Sequence, residues 1–210
     1  DYNIAIRHSG SYFRQNPLFA QIIDRDISCC TFHHVEFGEH FSHDAKAFPY
    51  LHIAALPADG DKTFYPHAFH CPSNQRIKGT RFVPPDNSCI EFGFRLSEDE
   101  VRSLRARSHF CIDQFNTDMQ SLGAMAIDSA RAGCLPVLNY LGRGTMKSFE
   151  QLEIPAPPFF YCAPDKIHTA LEMPYEAWKT HSELAQQWTI DHCSPAAQAA
   201  HITSRLLECA

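Results

Sequence analysis

Apolar positions recur at helical spacing through FNTDMQSLGAMAIDSARAG, Phe115 to Gly133. Leu122, Met125, Ala126 and Ala130 fall on one stripe, and Gly133 followed by Leu135-Pro136 is a stop signal. The spacing predicts a buried, small-residue helix. Leu18, Phe19, Ile22 and Ile23, after Asn16-Pro17, make one face of an earlier helix. Alternation in ISCCTFHHVEF, closed by Gly38, predicts a strand, and FPYLHIAALP predicts a second through Leu51, Ile53 and Ala55.

The proline-broken segment from Lys62 to Asp86 reads as a long loop with room for one short strand. Ser88 to Phe94 predicts a strand, and Ser97 with Glu100 forms a capping box for an amphipathic, exposed helix. His109 to Asp113 leads into the helix that carries Ser121. Gly142 to Pro158 is loop-like, FFYCA is a strand, and two proline-opened helices follow Met173. These patterns divide the chain into residues 1-172 and a helical extension, 173-210. No internal repeat or low-complexity run interrupts them.

Composition changes the picture mainly by exclusion. The 210 residues carry a net charge of −6 with the signs interleaved, so neither nucleic acid nor an anionic membrane is the expected partner. No apolar run approaches the ~20 residues of a membrane-spanning helix. The start at Asp1-Tyr2-Asn3 reads as a processed or excised piece, and the oligomeric state is open. Nine cysteines without C-x-x-C spacing favour free thiols in a reducing compartment over a disulfide or two in a secreted protein.

Candidate chemistry centres on Ser121, in the first turn of the predicted helix beside the cap candidates Asn116, Thr117 and Asp118. A helix N-terminus lowers a thiol pKa and stabilises an oxyanion. His33 and His34 share a strand, Glu36 lies on the His34 face, and His52 sits inside the next strand. An imidazole base and a group that orients it complete the set needed for acyl transfer.

The order of HHVEFG, YLHIAALP and the Ser121 helix resembles the circularly permuted papain-like superfamily, NlpC-type and lecithin-retinol acyltransferase-like. The resemblance implies an α+β fold, its antiparallel sheet packed on a nucleophile-bearing helix, plus C-terminal helices. It further implies a thiol-type acyl hydrolase or transferase acting on amide, ester or thioester bonds. By position, Ser121 takes the place of the family's cysteine, His34 that of the base, and His52 that of the second histidine. Peptide, protein or acyl-lipid substrates follow, with no cofactor. A toxin or effector domain delivered into a target cell is one extension of this reading.

Serine at the nucleophile position leaves two further readings, a silenced cysteine enzyme and a dead papain-like interaction module. In ordinary papain order Cys30 would be the nucleophile and His168 its base. A zinc site is the other rival, because His33, His34, His40, His43, His52, His67, His70 and Cys71 crowd one third of the chain, although no metal is assigned.

Overall fold

Strands of two to four residues, mostly separated by helices, organise the chain. The structure is a computed structural model that describes residues 29–32, 46–49, 54–55, 60–116 and 122–208. In chain order its elements begin with β1 (Cys29–Phe32), β2 (Lys46–Pro49), β3 (Ala68–His70), α1 (Gln75–Lys78), β4 (Ile90–Phe92), α2 (Glu98–Arg107) and β5 (Phe110–Ile112). They continue with α3 (Ala124–Arg131), β6 (Leu135–Leu138), α4 (Arg143–Leu152), β7 (Phe160–Tyr161), α5 (Ile167–Leu171), α6 (Tyr175–Cys193) and α7 (Pro195–Glu208). No helix among the described residues is long and apolar enough to cross a membrane.

The chain divides into two units. One comprises Asp1–Leu51, Arg143–Pro155 and Gln198–Ala210. Within it β1 and β2 pair in parallel, Cys29 opposite Lys46 and Phe32 opposite Pro49. The other unit, His52–Gly142 with Ala156–Ala197, holds a five-stranded sheet in the order β4-β3-β5-β6-β7. Every pairing in that sheet is parallel.

Parallel strands need crossover connections, and the covering elements bury both faces. The strand sequences show it: AFH, FCI and LPVL are buried at every position, with no apolar–polar alternation. Phe69, Leu104, Cys111 and Cys134 form a core cluster, with Cys71, Leu96 and Met125 packed against it. Pro136 is tolerated inside β6 because β7 pairs only with Val137 and Leu138. The donor that proline lacks therefore has no strand opposite it.

Helix ends are closed by specific contacts. Ser97 and Glu100 form the expected capping box, with Glu100 Oε2 accepting from the Ser97 N–H at 2.7 Å. Lys62 Nζ donates to the Arg105 and Ser108 carbonyls at the end of α2 and to the Ala132 carbonyl at the end of α3. One ammonium thus meets the negative ends of two helices. Gly133 closes α3 at φ 75°, a left-handed conformation that glycine adopts without strain. Along α6, Gln186 donates to the Arg131 carbonyl at 2.9 Å, and Trp178 donates to the His109 carbonyl at 2.8 Å.

The expected antiparallel, papain-like architecture is therefore wrong: both sheets are parallel throughout the described residues. The proline-broken segment contains β3, the one short strand it had room for, and α1 besides, and the lead-in at His109 to Asp113 contains β5. The two strands are interior and too short to display a period. The segment from Gly142 to Pro158 contains the helix α4 rather than continuous loop. The helix expected from Phe115 begins only at Ala124, because Asp113 to Asn116 and Leu122-Gly123 lie outside helical structure.

His109 offers a test of this packing. Its ring lies edge-on to Tyr65 at 5.0 Å and to Trp178 at 4.7 Å. Burial, with Lys62 and His67 adding to it, lowers its pKa to about 4. The folded state then binds fewer protons than the unfolded chain, whose histidine titrates near ~6.5. The stability it contributes is complete above that value and is lost as pH falls towards about 4. The urea midpoint should drop between about pH 7.5 and about pH 5, and His109→Phe should flatten that dependence.

Candidate functional site

In a sheet of this order the chain runs from β3 outward in both directions, to β4 on one side and to β5, β6 and β7 on the other. The two directions part between β3 and β5. Ligands of open parallel sheets bind outside the carboxyl ends of the strands at such a switch point. Here those ends are His70-Cys71 and Ile112-Asp113.

His70 is fully buried and joins the two strands. Its Nδ1 donates to the Ile112 carbonyl at 2.8 Å, and its Nε2 accepts from the Thr80 hydroxyl at 2.8 Å. A carbonyl can only accept, so the tautomer follows from the partners. Burial lowers the His70 pKa and keeps the ring neutral near neutral pH.

The last residue of α1 is Lys78. Its carbonyl accepts from the Phe115 N–H at 2.9 Å, and Gly79 stands at φ 74°. A Cβ on Gly79 would lie 2.5 Å from the Asn116 nitrogen. Both the dihedral angle and the close approach require glycine. Lys78 Nζ sits 2.8 Å from Asp113 Oδ1 and donates to Oδ2 at 3.0 Å. Both side chains are largely buried, Asp113 3% exposed and Lys78 14%.

Gly123 completes the arrangement. It is the N-cap of α3 and brings no side chain to cap it. A Cβ there would fall 2.4 Å from Asp113 Oδ2 and 2.6 Å from Lys78 Nζ. The start of α3 therefore lies against the ion pair, and the helix dipole adds positive potential there. Gln114, next to Asp113, holds φ 33°, which is strained for a non-glycine residue. Glycine at 123 thus leaves room for the Lys78–Asp113 pair against the start of α3, and the ammonium beside that helix end is the group an incoming anion would meet.

Beside it opens a cavity of about 900 Å³, lined by Gln75, Arg76, Thr80, Arg81, Val83, Pro85, Phe92, Phe94 and Asn116. Thr80 belongs to both spaces, through its bond to His70.

The residues picked from the sequence are not those gathered here. Ser121, His34 and His52, with the alternative base His33 and its neighbour Glu36, lie outside the described residues. Of the alternative pair, Cys30 stands in strand β1 rather than at a helix start, and His168 is exposed on α5. Thiol chemistry finds no support among the described cysteines of the second unit. Burial raises the pKa of Cys71, Cys111 and Cys134, and pushes Cys162 to about 11 and Cys193 to about 12. A hydroxyl–imidazole–carboxylate row does occur: Ser108 Oγ is 3.0 Å from His67 Nδ1, and Glu91 Oε2 is 3.4 Å from His67 Nε2. Ser108 has no exposed surface and Glu91 is held by Arg107, so the row is a packing device. Among the described residues no three His, Cys, Asp or Glu side chains gather as metal ligands, so the zinc reading finds no site there.

Comparison with known proteins follows the topology. No family model and no curated protein matches the sequence. Solved structures do. The chain is similar to Anabaena HepE in complex with UDP-glucose, with TM-score 0.60 and 13% identity over 95% of this chain and 68% of that one. It is similar to the GtfA/B complex, with TM-score 0.54 and 10% identity over 82% of this chain and 42% of that one. It is also similar to AviGT4, a glycosyltransferase involved in avilamycin A biosynthesis, with TM-score 0.50 and 16% identity over 86% and 64%. The chain shares the Rossmann-like α/β fold of these structures. It spans 42% of the GtfA/B chain and about two thirds of the other two.

This likeness overturns the papain-like recognition and the cysteine-protease-like hydrolase or acyltransferase that it implied. The error has a physical source. The resemblance rested on element order, and element order does not fix strand direction. Neither the toxin or effector extension nor the dead papain-like module survives the loss of that fold. The Lys-Gly-Thr stretch at 78–80 escapes a sequence reading because it lies in the proline-broken segment from Lys62 to Asp86. An alternation of short apolar runs and helices from Ala68 to Leu138 was the signal that could have found it.

The Lys78–Asp113 pair is testable on stability alone. Lys78→Met strands a buried carboxylate and should cost about 3–5 kcal/mol, whereas Lys78→Met with Asp113→Leu should recover most of it. Chemical denaturation of the two variants beside the unaltered chain measures the difference.

Proposed function

We propose that this chain is the donor-binding part of a glycosyltransferase that uses a nucleoside diphosphate sugar, with a UDP-sugar as the first donor to test. The observation that carries the reading is Lys78 at the switch point, against the N-terminus of α3. Two facts support it: the fold shared with HepE, whose structure holds UDP-glucose, and the polarity of the crevice.

In glycosyl transfer the bond from the anomeric carbon to the diphosphate breaks, a bond to an acceptor oxygen forms, and the acceptor gives up a proton. Negative charge grows on the departing diphosphate. Preorganised positive groups at that oxygen lower the barrier. Lys78 Nζ and the first N–H groups of α3 would meet that charge, and Asp113 would hold Lys78 in place. Gly123 would leave room for the Lys78–Asp113 pair at the start of α3, and His70 would keep the segment after Lys78 docked on β5. Sugar transfer thus replaces the acyl-group transfer expected from the sequence.

Calorimetric titration with UDP-glucose and UDP tests the reading. The unaltered chain should bind both. The paired change Lys78→Gln with Asp113→Asn removes both charges while keeping hydrogen-bonding groups, and should weaken UDP about tenfold or more, ~1.4 kcal/mol. Absence of binding by the unaltered chain, or equal affinity in the double variant, would overturn it.

A further inference from the structure

The cavity beside the anion crevice has two kinds of wall. Phe92 and Phe94, stacked with centroids 6.2 Å apart at 29°, stand with Val83 and Pro85 on the apolar side. Arg76, Arg81, Gln75, Thr80 and Asn116 supply the polar side. Phe94 is 43% exposed, a large ring left open to solvent at the end of β4. His70 packs perpendicular to Phe92, ring centroids 5.8 Å apart, so the aromatic wall touches the imidazole that also holds Thr80. Among the described residues neither the Arg76 nor the Arg81 guanidinium meets a carboxylate. Arg81 lies over the Phe82 ring at 4.6 Å.

Such a space fits a flat heteroaromatic group that carries an anion. Its volume of about 900 Å³ is at the upper end of small-ligand sites. Its aromatic lining offers stacking, the Gln75 amide offers hydrogen bonds to a ring edge, and the guanidiniums match negative charge. Thr80 joins the cavity to the crevice, so one extended ligand can occupy both.

We propose that this cavity is the nucleoside site of the donor, with the base on the Phe92–Phe94 wall and the diphosphate passing Arg76 and Arg81 towards Lys78. The inference rests on the donor-binding reading above and assigns the half of the ligand that reading left unplaced. An ammonium and a helix end recognise phosphate from any source. The aromatic wall is what makes the site select a nucleotide over free pyrophosphate.

The test separates the two halves of the ligand. Titration of the unaltered chain, Phe94→Ala and Phe94→Tyr with UDP and with inorganic pyrophosphate should show UDP binding more tightly than pyrophosphate. Phe94→Ala should weaken UDP about tenfold, within the range of one lost base–aromatic stack, and leave pyrophosphate within about twofold. Phe94→Tyr should restore UDP binding. Equal UDP affinity in all three chains would overturn the nucleoside site and leave the donor-binding reading standing. Parallel losses for UDP and pyrophosphate in Phe94→Ala would also overturn it, by tracing the effect to the fold. If the unaltered chain binds neither compound, the donor-binding reading fails and this inference falls with it.

Discussion

A single buried imidazole holds the switch point together. His70 closes the gap between β3 and β5 by donating to the Ile112 carbonyl, and its other nitrogen takes the Thr80 hydroxyl. Two separate pieces of chain, the ends of neighbouring strands and the turn after α1, are thereby fixed to one ring. The same ring backs Phe92. The position of Lys78, the seat of Gly79 against Phe115-Asn116 and the aromatic wall of the cavity all depend on it. A protonated His70 could not accept from Thr80, so burial that keeps the ring neutral also preserves the geometry.

The ion pair beside it follows a different logic. Burying Asp113 costs several kcal/mol unless a cation meets it, and Lys78 does so at 2.8 Å. Both side chains are held against the start of α3, where glycine at 123 leaves them room. An anion at this crevice would meet a lysine already held by its partner, which would reduce the ordering cost of binding. The retained carboxylate lowers the net positive charge of the crevice, and the guanidiniums of Arg76 and Arg81 at the neighbouring cavity add it back.

What the sequence made legible were features set by local chemistry. The capping box of Ser97 and Glu100, the stop at Gly133, the strands inside Ser88 to Phe94 and FFYCA, and the proline-opened helices after Met173 depend on near neighbours, and each is present. The sheet was not legible in the same way. Ala68–His70 and Phe110–Ile112 are three-residue interior strands, and strands buried on both faces carry no period to read. The Met125-to-Ala130 stripe was real, but its register was carried back too far, across Gly123 to Phe115. Lys78 stood in plain view between Ile77 and Gly79; only the parallel pairing of β3 with β5 gives it a partner in Asp113, 35 residues on.

Strand direction also explains why two unlike chemistries could be argued from one chain. In the antiparallel reading the business end is wherever a nucleophile meets a histidine strand, so Ser121, His34 and His52 carry the argument. In a parallel sheet every strand delivers its carboxyl end to the same edge, so whatever follows His70, Phe92 and Ile112 must converge there. Cys71, Gly93 and Asp113 do follow those strand ends. The fold fixes that place, while the residues at it decide the chemistry. A lysine against a bare helix end suits a diphosphate, and a stacked pair of phenylalanines one strand away suits a base; neither group has a use in attacking an acyl carbon.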